Sequence, residues 1–408
     1  MKIEVDTLIL GGGCAGLSLG VRLAERAQKA LILESRASYS NDRTWCFWRH
    51  RAHRWEHLVS RSWTSLSLSS ATREATVNCG DSPYQMIESG SFYDAATHAI
   101  AAAPTVQLCM NETITDEPQL VDGRWRVRTA TQEVASRYVV DTRPPRPPRL
   151  GDAVLWQSFL GQQVAWDAPT IDPHKVALMD FVETAEARQT RGVMFTYVLP
   201  FSAQRALIHT TVFGAEPINA DALADHQARA LQHLTRDTTK IGRAAHHIER
   251  SESGILPMGM KLSVQAPGAH YVRAELMSGG ARPSTGYAFQ RIHRWADSCA
   301  AALPAGHEPV GHAPDSLTRR AMDRLFLRVI RDYPERAPET FVRLFSTTKP
   351  ARVLRFLSDE GSLVDCLAVI ATLPPAPFLR TLLRAERGGV HGIRDVSDVS
   401  DASDARGP

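Results

Sequence analysis

Lysine is scarce in this chain: six of its 47 basic residues are Lys and the rest are Arg. Arginine stays protonated and grips phosphate in a planar fork, so its dominance suits an anionic cofactor or a lipid headgroup surface. The excess charge is small. A formal net charge of +3 is too little to argue for nucleic acid as a partner. Cysteine is also sparse: Cys14, Cys46, Cys79, Cys109, Cys299 and Cys366 form no Cys-x-x-Cys pair. That spacing excludes a zinc site or disulfide framework and leaves free thiols in a reducing cytoplasm as the simplest expectation, with no metal. No run approaches the ~20 apolar residues needed to cross a bilayer, and with the first strand at the N-terminus no signal peptide is expected. At 408 residues, 43% hydrophobic and 22% charged, the chain has ample core for one large domain or two fused ones.

What is present is organised around the first 34 residues. A short apolar run, Leu8 to Leu10, meets Gly11, Gly13 and Gly16 in the spacing Gly-x-Gly-x-x-Gly, and an amphipathic run follows. Gly11 lets the strand turn, Gly13 lets backbone N–H groups approach a pyrophosphate, and Gly16 brings helix and strand together. The phosphates would sit at the helix N-terminus. A second strand, Ala30 to Leu33, is closed by Glu34, about 20 residues on, where a carboxylate accepts from ribose hydroxyls. The expectation is a dinucleotide site.

Beyond Glu34, Arg43 is placed to reach a cofactor phosphate, and the aromatics Trp45, Phe47 and Trp48 either to line a binding wall or to anchor the loop as buried side chains. A hairpin (66–68 and 75–77), a helix (92–102) and strands at 106–110, 125–129 and 138–141 follow, the last ending in Asp141 beside a proline run, 144–148. From 155 to 213 the pattern is all strand, with Leu207, His209, Thr211 and Phe213 on one face by the period-two rule. A helix is expected over 220–235. A strand at 271–276 then leads into Gly279-Gly-Ala-Arg-Pro-Ser-Thr-Gly-Tyr287 and a helix at 288–303, repeating the opening physics. Helices alternating apolar residues and arginines fill 316–384, either as a surface for a membrane interface or as a cap with a solvated basic face. The acidic repeat at 396–404 reads as disordered.

Together these stretches resemble the flavin-dependent lycopene cyclases, especially the bacterial lycopene β-cyclase type, from the first strand to about Leu383. The markers are Gly11-Gly-Gly-Cys-Ala-Gly16, Arg43-Thr-Trp-Cys-Phe47, Gln157-Ser-Phe-Leu-Gly-Gln162, Met179-Asp180, Phe195-Thr-Tyr-Val-Leu-Pro200, Gly254-Ile-Leu-Pro257 and Arg282-Pro-Ser-Thr-Gly-Tyr287. The resemblance implies a Rossmann-type FAD-binding domain with an inserted, mainly antiparallel β-sheet substrate domain and a C-terminal helical region. The divisions fall at 1–150, 151–253, 254–305, 306–385 and a tail, 386–408. It also implies reduced FAD as cofactor, NAD(P)H as electron source, an apolar polyene substrate and peripheral attachment of a cytoplasmic protein to a membrane.

The family's reaction is a non-redox cyclisation. A terminal double bond is protonated, a six-membered ring closes through a carbocation, and a proton is lost. Cofactor contacts would come from Gly11, Gly13, Gly16, Glu34, Arg43, Asp141, Gly279, Gly280, Pro283, Thr285 and Gly286, and substrate contacts from Phe195, Tyr197, Trp45 and Phe47. The family carries an acidic pair before Thr in the strand after the Tyr-x-Leu-Pro turn, and this chain has His209-Thr210-Thr211 there. Catalysis is therefore expected from His209 and Thr210, with Glu216 or Asp180 as the available carboxylates. Glu275 stands where the family tends to have Gly. Two other readings remain: an FAD-dependent monooxygenase or other oxidoreductase on an apolar substrate, and a non-catalytic relative that binds flavin or carotenoid.

Overall fold

The computed structural model describes residues 2–144, 152–181, 192–236, 245–260, 268–303 and 307–391. The prolines at 145–148 and the acidic repeat at 396–404 lie outside them. The chain begins β1 (Lys2–Leu10), α1 (Cys14–Glu25), β2 (Ala30–Leu33), β3 (Thr44–Trp48), β4 (Arg61–Trp63), β5 (Ser65–Ser69), β6 (Glu74–Asn78) and β7 (Tyr84–Glu88). It continues α2 (Ser89–Ala101), β8 (Val106–Cys109), β9 (Gln119–Val121), β10 (Arg124–Arg128), β11 (Glu133–Asp141), β12 (Leu155–Trp166), β13 (Lys175–Asp180), β14 (Val193–Ser202) and β15 (Arg205–Gly214). Next come α3 (Ala220–Arg236), β16 (His246–Met258), β17 (Tyr271–Arg273) and α4 (Phe289–Ala302). Five helices close the described chain: α5 (Leu317–Asp332), α6 (Ala337–Thr347), α7 (Pro350–Leu357), α8 (Leu363–Thr372) and α9 (Pro375–His391).

The first sheet runs β8-β2-β1-β11-β10-β9, with β17 added to the other half of the β11 edge. Its centre, β8, β2, β1, β11 and β17, is parallel. Leu8, Ile9 and Leu10 are all buried because both faces of β1 are covered, which is why this stretch reads as an unbroken apolar run. Ile9, Ile32 and Val140 pack against Leu17, Phe92, Ile292 and Trp295 from α1, α2 and α4, while Leu8, Leu10 and Val139 pack with Trp125 and Tyr271. This is the Rossmann-type layer.

The second sheet runs β16-β12-β15-β14-β13-β5-β6 and is antiparallel except where β13 meets β5. On one face, Leu231 of α3 packs with Val164, Trp166 and Ile208. The other face shares a core with α5, α6 and α7 through Leu327, Ile330, Val342, Leu344 and Val353. A small sheet, β3-β7-β4, pairs with neither of these, but its Phe47 and Ile87 join the first core and its Trp48, Trp63 and Tyr84 the second.

Three boundaries differ from the sequence expectation. The hairpin β5–β6 lies within 1–150 but hydrogen-bonds to β13 and so belongs to the second sheet. The return to the first sheet begins at β17, not at residue 254, because β16 is still an edge strand paired with β12. Helix α9 also continues past residue 385, to His391.

Candidate active site: a glycine cradle, an apolar chamber and a histidine–glutamate pair

The cradle is built from the end of β1. Gly11 adopts φ 94°, left-handed backbone that favours glycine, and its N–H donates to the Leu33 carbonyl at 2.8 Å. A Cβ at Gly16 would stand 1.9 Å from the Gly11 carbonyl oxygen, so only glycine permits this approach of helix and strand. Gly13 differs in kind: a Cβ there would meet nothing within 4 Å. It caps α1 without a side-chain acceptor, leaving first-turn N–H groups for an anion. Glu34 is buried below this turn. Its Oε2 accepts from the Gly12 N–H at 2.6 Å and its Oε1 from Arg36 N and Nε at 2.9 and 3.0 Å. Burial pushes the Glu34 carboxyl up, but the contacts with Arg36 and the Gly12 N–H outweigh it and hold the group below its ordinary range. These residues fit a dinucleotide phosphate and ribose.

The second glycine turn opens on the same sheet edge. Leu10, Asp141 and Arg273 end β1, β11 and β17 in register. The turns that follow β1 and β17 are therefore two strand spacings apart, about 10 Å, at the carboxyl ends where α/β sheets bind ligands. Gly279 (φ 103°) and Gly286 (φ 72°) both need left-handed backbone, and a Cβ at Gly280 would stand 2.9 Å from the Glu275 carbonyl. The buried Glu275 builds this turn by accepting from Met277 N–H and Ser278 Oγ. Arg282 anchors it: the guanidinium, 1% exposed, meets Asp323 of α5 at 3.1 Å and lies over the Phe356 ring.

Beyond the turn lies a chamber of about 380 Å³. Leu178, Met179, Tyr197 and Phe213 of the second sheet form one wall. Ser284, Thr285 and Tyr287 of the turn form one end, and α5, α6, α8 and α9 supply Phe326, Phe341, Ile370 and Leu382. The lining is overwhelmingly apolar.

Several expected site residues lie elsewhere. Trp45 and Phe47 pack in the first domain's core against Phe289 at 5.3 and 5.1 Å between ring centroids, and they do not line this chamber. Trp48 does, because alternation along β3 turns it to the opposite face. Tyr197 lines the chamber, while Phe195 packs behind it against Phe181 and Phe213. The Asp141 carboxylate is engaged by Arg143 at 2.9 Å through both oxygens and by the Tyr271 hydroxyl at 2.6 Å, so it braces the strand ends. The Arg43 side chain is exposed, and its backbone N–H bonds Ser89 Oγ. Pro283 lies within the second turn, between Arg282 and the chamber-lining Ser284.

Of the expected catalytic group, Thr210 points away from the chamber and donates to Gln227 Oε1 of α3 at 2.7 Å. Glu216 is exposed beyond β15. Asp180 ends β13 and accepts from Ser69 Oγ.

His209 does not line the chamber either; it lies beside Tyr197, which does. It lies opposite Tyr197 on β14 and Gly161 on β12, stacked flat on Phe159 at 5.3 Å. Its Nε2 stands 2.9 Å from Oε1 of Glu252, a residue that sequence reading missed. Glu252 lies opposite Gly161 from the other side, on β16. A Cβ at Gly161 would stand 2.4 Å from the His209 ring and 3.1 Å from Glu252 Cγ, so the missing side chain lets the pair meet. Glu252 Oε2 accepts from Arg250 Nη1 at 2.9 Å and Thr44 Oγ1 at 3.0 Å, and Arg250 also donates to the Asn41 carbonyl. Burial raises the Glu252 carboxyl, but His209, Arg250 and Thr44 overcome that and hold it low. Burial likewise keeps the neighbouring Tyr197 phenol and Cys46 thiol protonated.

A glycine turn at the carboxyl edge of a parallel sheet, beside an apolar chamber, defines an α/β protein of the Rossmann-type FAD-binding class. Three solved structures share the fold across most of the chain. A geranylgeranyl bacteriochlorophyll reductase-like protein from Thermoplasma acidophilum matches with TM-score 0.59 and 13% identity, over 93% of this chain and 99% of its own. p-Nitrophenol 4-monooxygenase PnpA from Pseudomonas putida gives 0.56 and 13%, over 95% and 98%. Halogenase PltM, solved with phloroglucinol and FAD, gives 0.52 and 14%, over 86% and 79%. No curated protein matches the chain. The chain belongs to the lycopene cyclase family, whose model, described as "Lycopene cyclase protein", matches residues 6–383.

Proposed function

We propose that this protein is a flavin-dependent cyclase of linear polyene end groups, of the lycopene to β-carotene type. The observation that carries the reading is the apolar chamber ending on the Pro-Ser-Thr-Gly-Tyr turn. It is a dry slot for a hydrocarbon end, beside the edge where both glycine turns open. Gly11, Gly13, Gly16 and Glu34 would hold the FAD pyrophosphate and ribose, and Gly279, Gly280, Thr285 and Gly286 its flavin end. Bound and reduced at the expense of NAD(P)H, FAD would supply an electron-rich face that stabilises positive charge. The chain's own residues do the rest. Tyr197, Phe213 and Trp48 line the slot with ring faces that favour a cation. The walls exclude water that would otherwise capture it. An acid must deliver a proton to the terminal double bond.

Substrate access fits a membrane surface. Among the described residues no single helix is long and apolar enough to cross a bilayer; only α8 and the first turns of α9, bent by 102°, pass that test together. Those helices expose Leu363, Val364, Leu367, Leu379, Leu382 and Leu383, and Leu379 and Leu382 also line the chamber. With Arg380 and Arg384 exposed beside them, this face suits peripheral attachment with the chamber opening toward lipid.

The test is conversion of lycopene in vesicles by purified protein with FAD and a reductant. A cyclised product of unchanged mass is expected, and an unchanged polyene profile overturns the reading. Substrate-dependent oxygen uptake with NAD(P)H would favour an FAD-dependent monooxygenase instead, a reading that shares the fold of PnpA. Bound flavin or polyene without turnover would favour a binding relative.

A further inference from the structure

We propose that Asp323 is a catalytic residue of the chamber: its carboxylate faces the cation and takes the proton that the cation loses. The proposal rests on the cyclase reading above and names the base that the last step of that reading needs. Among the residues lining the chamber, Asp323 alone carries a charge. The Tyr197 and Tyr287 phenols, also in the lining, are pushed up by burial and stay protonated. The His209–Glu252 pair stands outside the lining.

Helix α5 sets the carboxylate there. Asp323 shares the buried stripe of the helix with Leu327 and Ile330, and Met322, Leu325 and Phe326 line the chamber beside it. Its Oδ1 accepts from Ser284 Oγ at 2.8 Å and from Arg282 Nη2 at 3.1 Å. Its Oδ2 accepts from Arg282 Nε at 3.4 Å. A carboxylate oxygen has room for two such bonds, so among the described residues Oδ2 keeps one site open. Ser284 lines the chamber and Arg282 does not. The ion pair therefore turns its negative end to the slot, with the guanidinium behind it, over the Phe356 ring and 3.7 Å from Asp359. Stability alone does not call for this charge, because an apolar pair of similar volume holds a buried position as well or better.

The step balances without oxidation or reduction. Protonation of the terminal double bond and ring closure leave an electron-deficient ring carbon whose neighbours all carry C–H bonds. One of these bonds breaks and its electron pair becomes the ring double bond. The proton is taken on the Asp323 carboxylate, which releases it to water when the product leaves. A carbocation is so strong an acid that a carboxylate already paired with arginine is base enough. Position decides instead: the C–H bond nearest the carboxylate is the one that breaks, so Asp323 fixes where the double bond is left. Until then, a fixed negative charge in a wall without water stabilises the cation far more than it would in solution.

The experiment compares the full-length protein with D323N and R282M/D323L, each loaded with FAD, reduced and given lycopene in vesicles. Bound flavin measures folding, and two readouts come from the product: its amount and, by NMR, the position of its ring double bond. D323N keeps the shape and the Oδ1 acceptor but not the charge. It should yield less, by about ten-fold or more, of the single isomer that the unmodified protein makes. What still cyclises should carry mixed double bonds or a hydroxyl from captured water. R282M/D323L, which removes both charges, should do the same. A purely structural role would lower the amount and leave the isomer unchanged. One unchanged isomer from either flavin-loaded variant therefore overturns the proposal, and so does loss of flavin from both, which would assign Asp323 to holding the turn. If neither loaded variant turns over, D323E decides: it restores the charge, and turnover no better than that of D323N overturns the proposal. Failure of the unmodified protein to cyclise overturns the cyclase reading, and the base falls with it.

Discussion

Replacing Gly16 and Gly13 separately with alanine should divide a packing glycine from a ligand glycine. At Gly16 the new Cβ stands 1.9 Å from the Gly11 carbonyl, and ordinary contact needs about 3.5 Å. Helix α1 must therefore retreat by roughly 1.5 Å from a strand on which Leu17, Leu19 and Leu23 are fully buried. Overpacking of this kind costs about 1–3 kcal/mol or more, and the first-turn N–H groups move with the helix. G16A should lose several degrees in melting temperature and its flavin as well. At Gly13 the Cβ touches nothing, and φ −77° is open to any residue. The cost to the folded chain is then only that of a poorer N-cap, about 0.5–1 kcal/mol. Its methyl group would project toward the phosphates, so G13A should keep nearly its full melting temperature without ligand and lose flavin by ten-fold or more. Differential scanning fluorimetry with and without FAD, together with the flavin absorbance of purified protein, reads both effects. Full flavin retention by G13A, or equal destabilisation by both variants, would refute placing the pyrophosphate at this bend.

Arg282 is buried against Asp323, so R282M should leave an uncompensated carboxylate and cost about 3–5 kcal/mol; the double variant R282M/D323L should recover much of it in thermal melts. The Arg355 ion pair, against opposing burial and helped by Ser362, lowers the Asp365 carboxyl from 3.8 to about 2. Its stabilisation is present above pH 4 and is lost as pH falls toward 2, so the gap in melting temperature between the unmodified protein and D365N should be widest near neutrality and close with acidification. Substituting Leu367 and Leu383 by Asp removes apolar surface worth about 1.5–3 kcal/mol each on burial and should cut vesicle co-sedimentation by more than ten-fold without changing flavin content. E216Q should cyclise within two-fold of the unmodified rate, since Glu216 faces solvent.

Local signals explain what could be read before the fold was known. The Gly11–Gly16 turn and the 279–287 turn are each written in consecutive residues, and the strands beside them are buried on both faces. The same locality failed at Thr44-Trp-Cys-Phe-Trp48. With almost no polar residue in the run, nothing in it tells one face from the other, and only the fold shows Trp48 toward the chamber. Glu252 was illegible for a different reason. Strand β16 opens with His246, His247 and Glu249, exposed at a sheet edge, so no alternation announces it. Its relation to His209 exists only through a third strand that contributes a glycine. The β5–β6 hairpin was recognised as a hairpin, but its sheet was not, because its partner β13 lies about 100 residues away.

The register of Leu10, Asp141 and Arg273 bears on how the molecule is made. The flank of β11 that carries the second glycine turn is supplied only by β17. Between Asp141 and Tyr271 a ribosome must add roughly 130 residues, which at about 5–20 residues per second takes roughly 6–26 s. For that interval the N-terminal half of the nucleotide layer waits with one edge unfinished while the intervening sheet is born. A nascent chain arrested before residue 273 should be unable to retain cofactor, however well its opening glycines are formed.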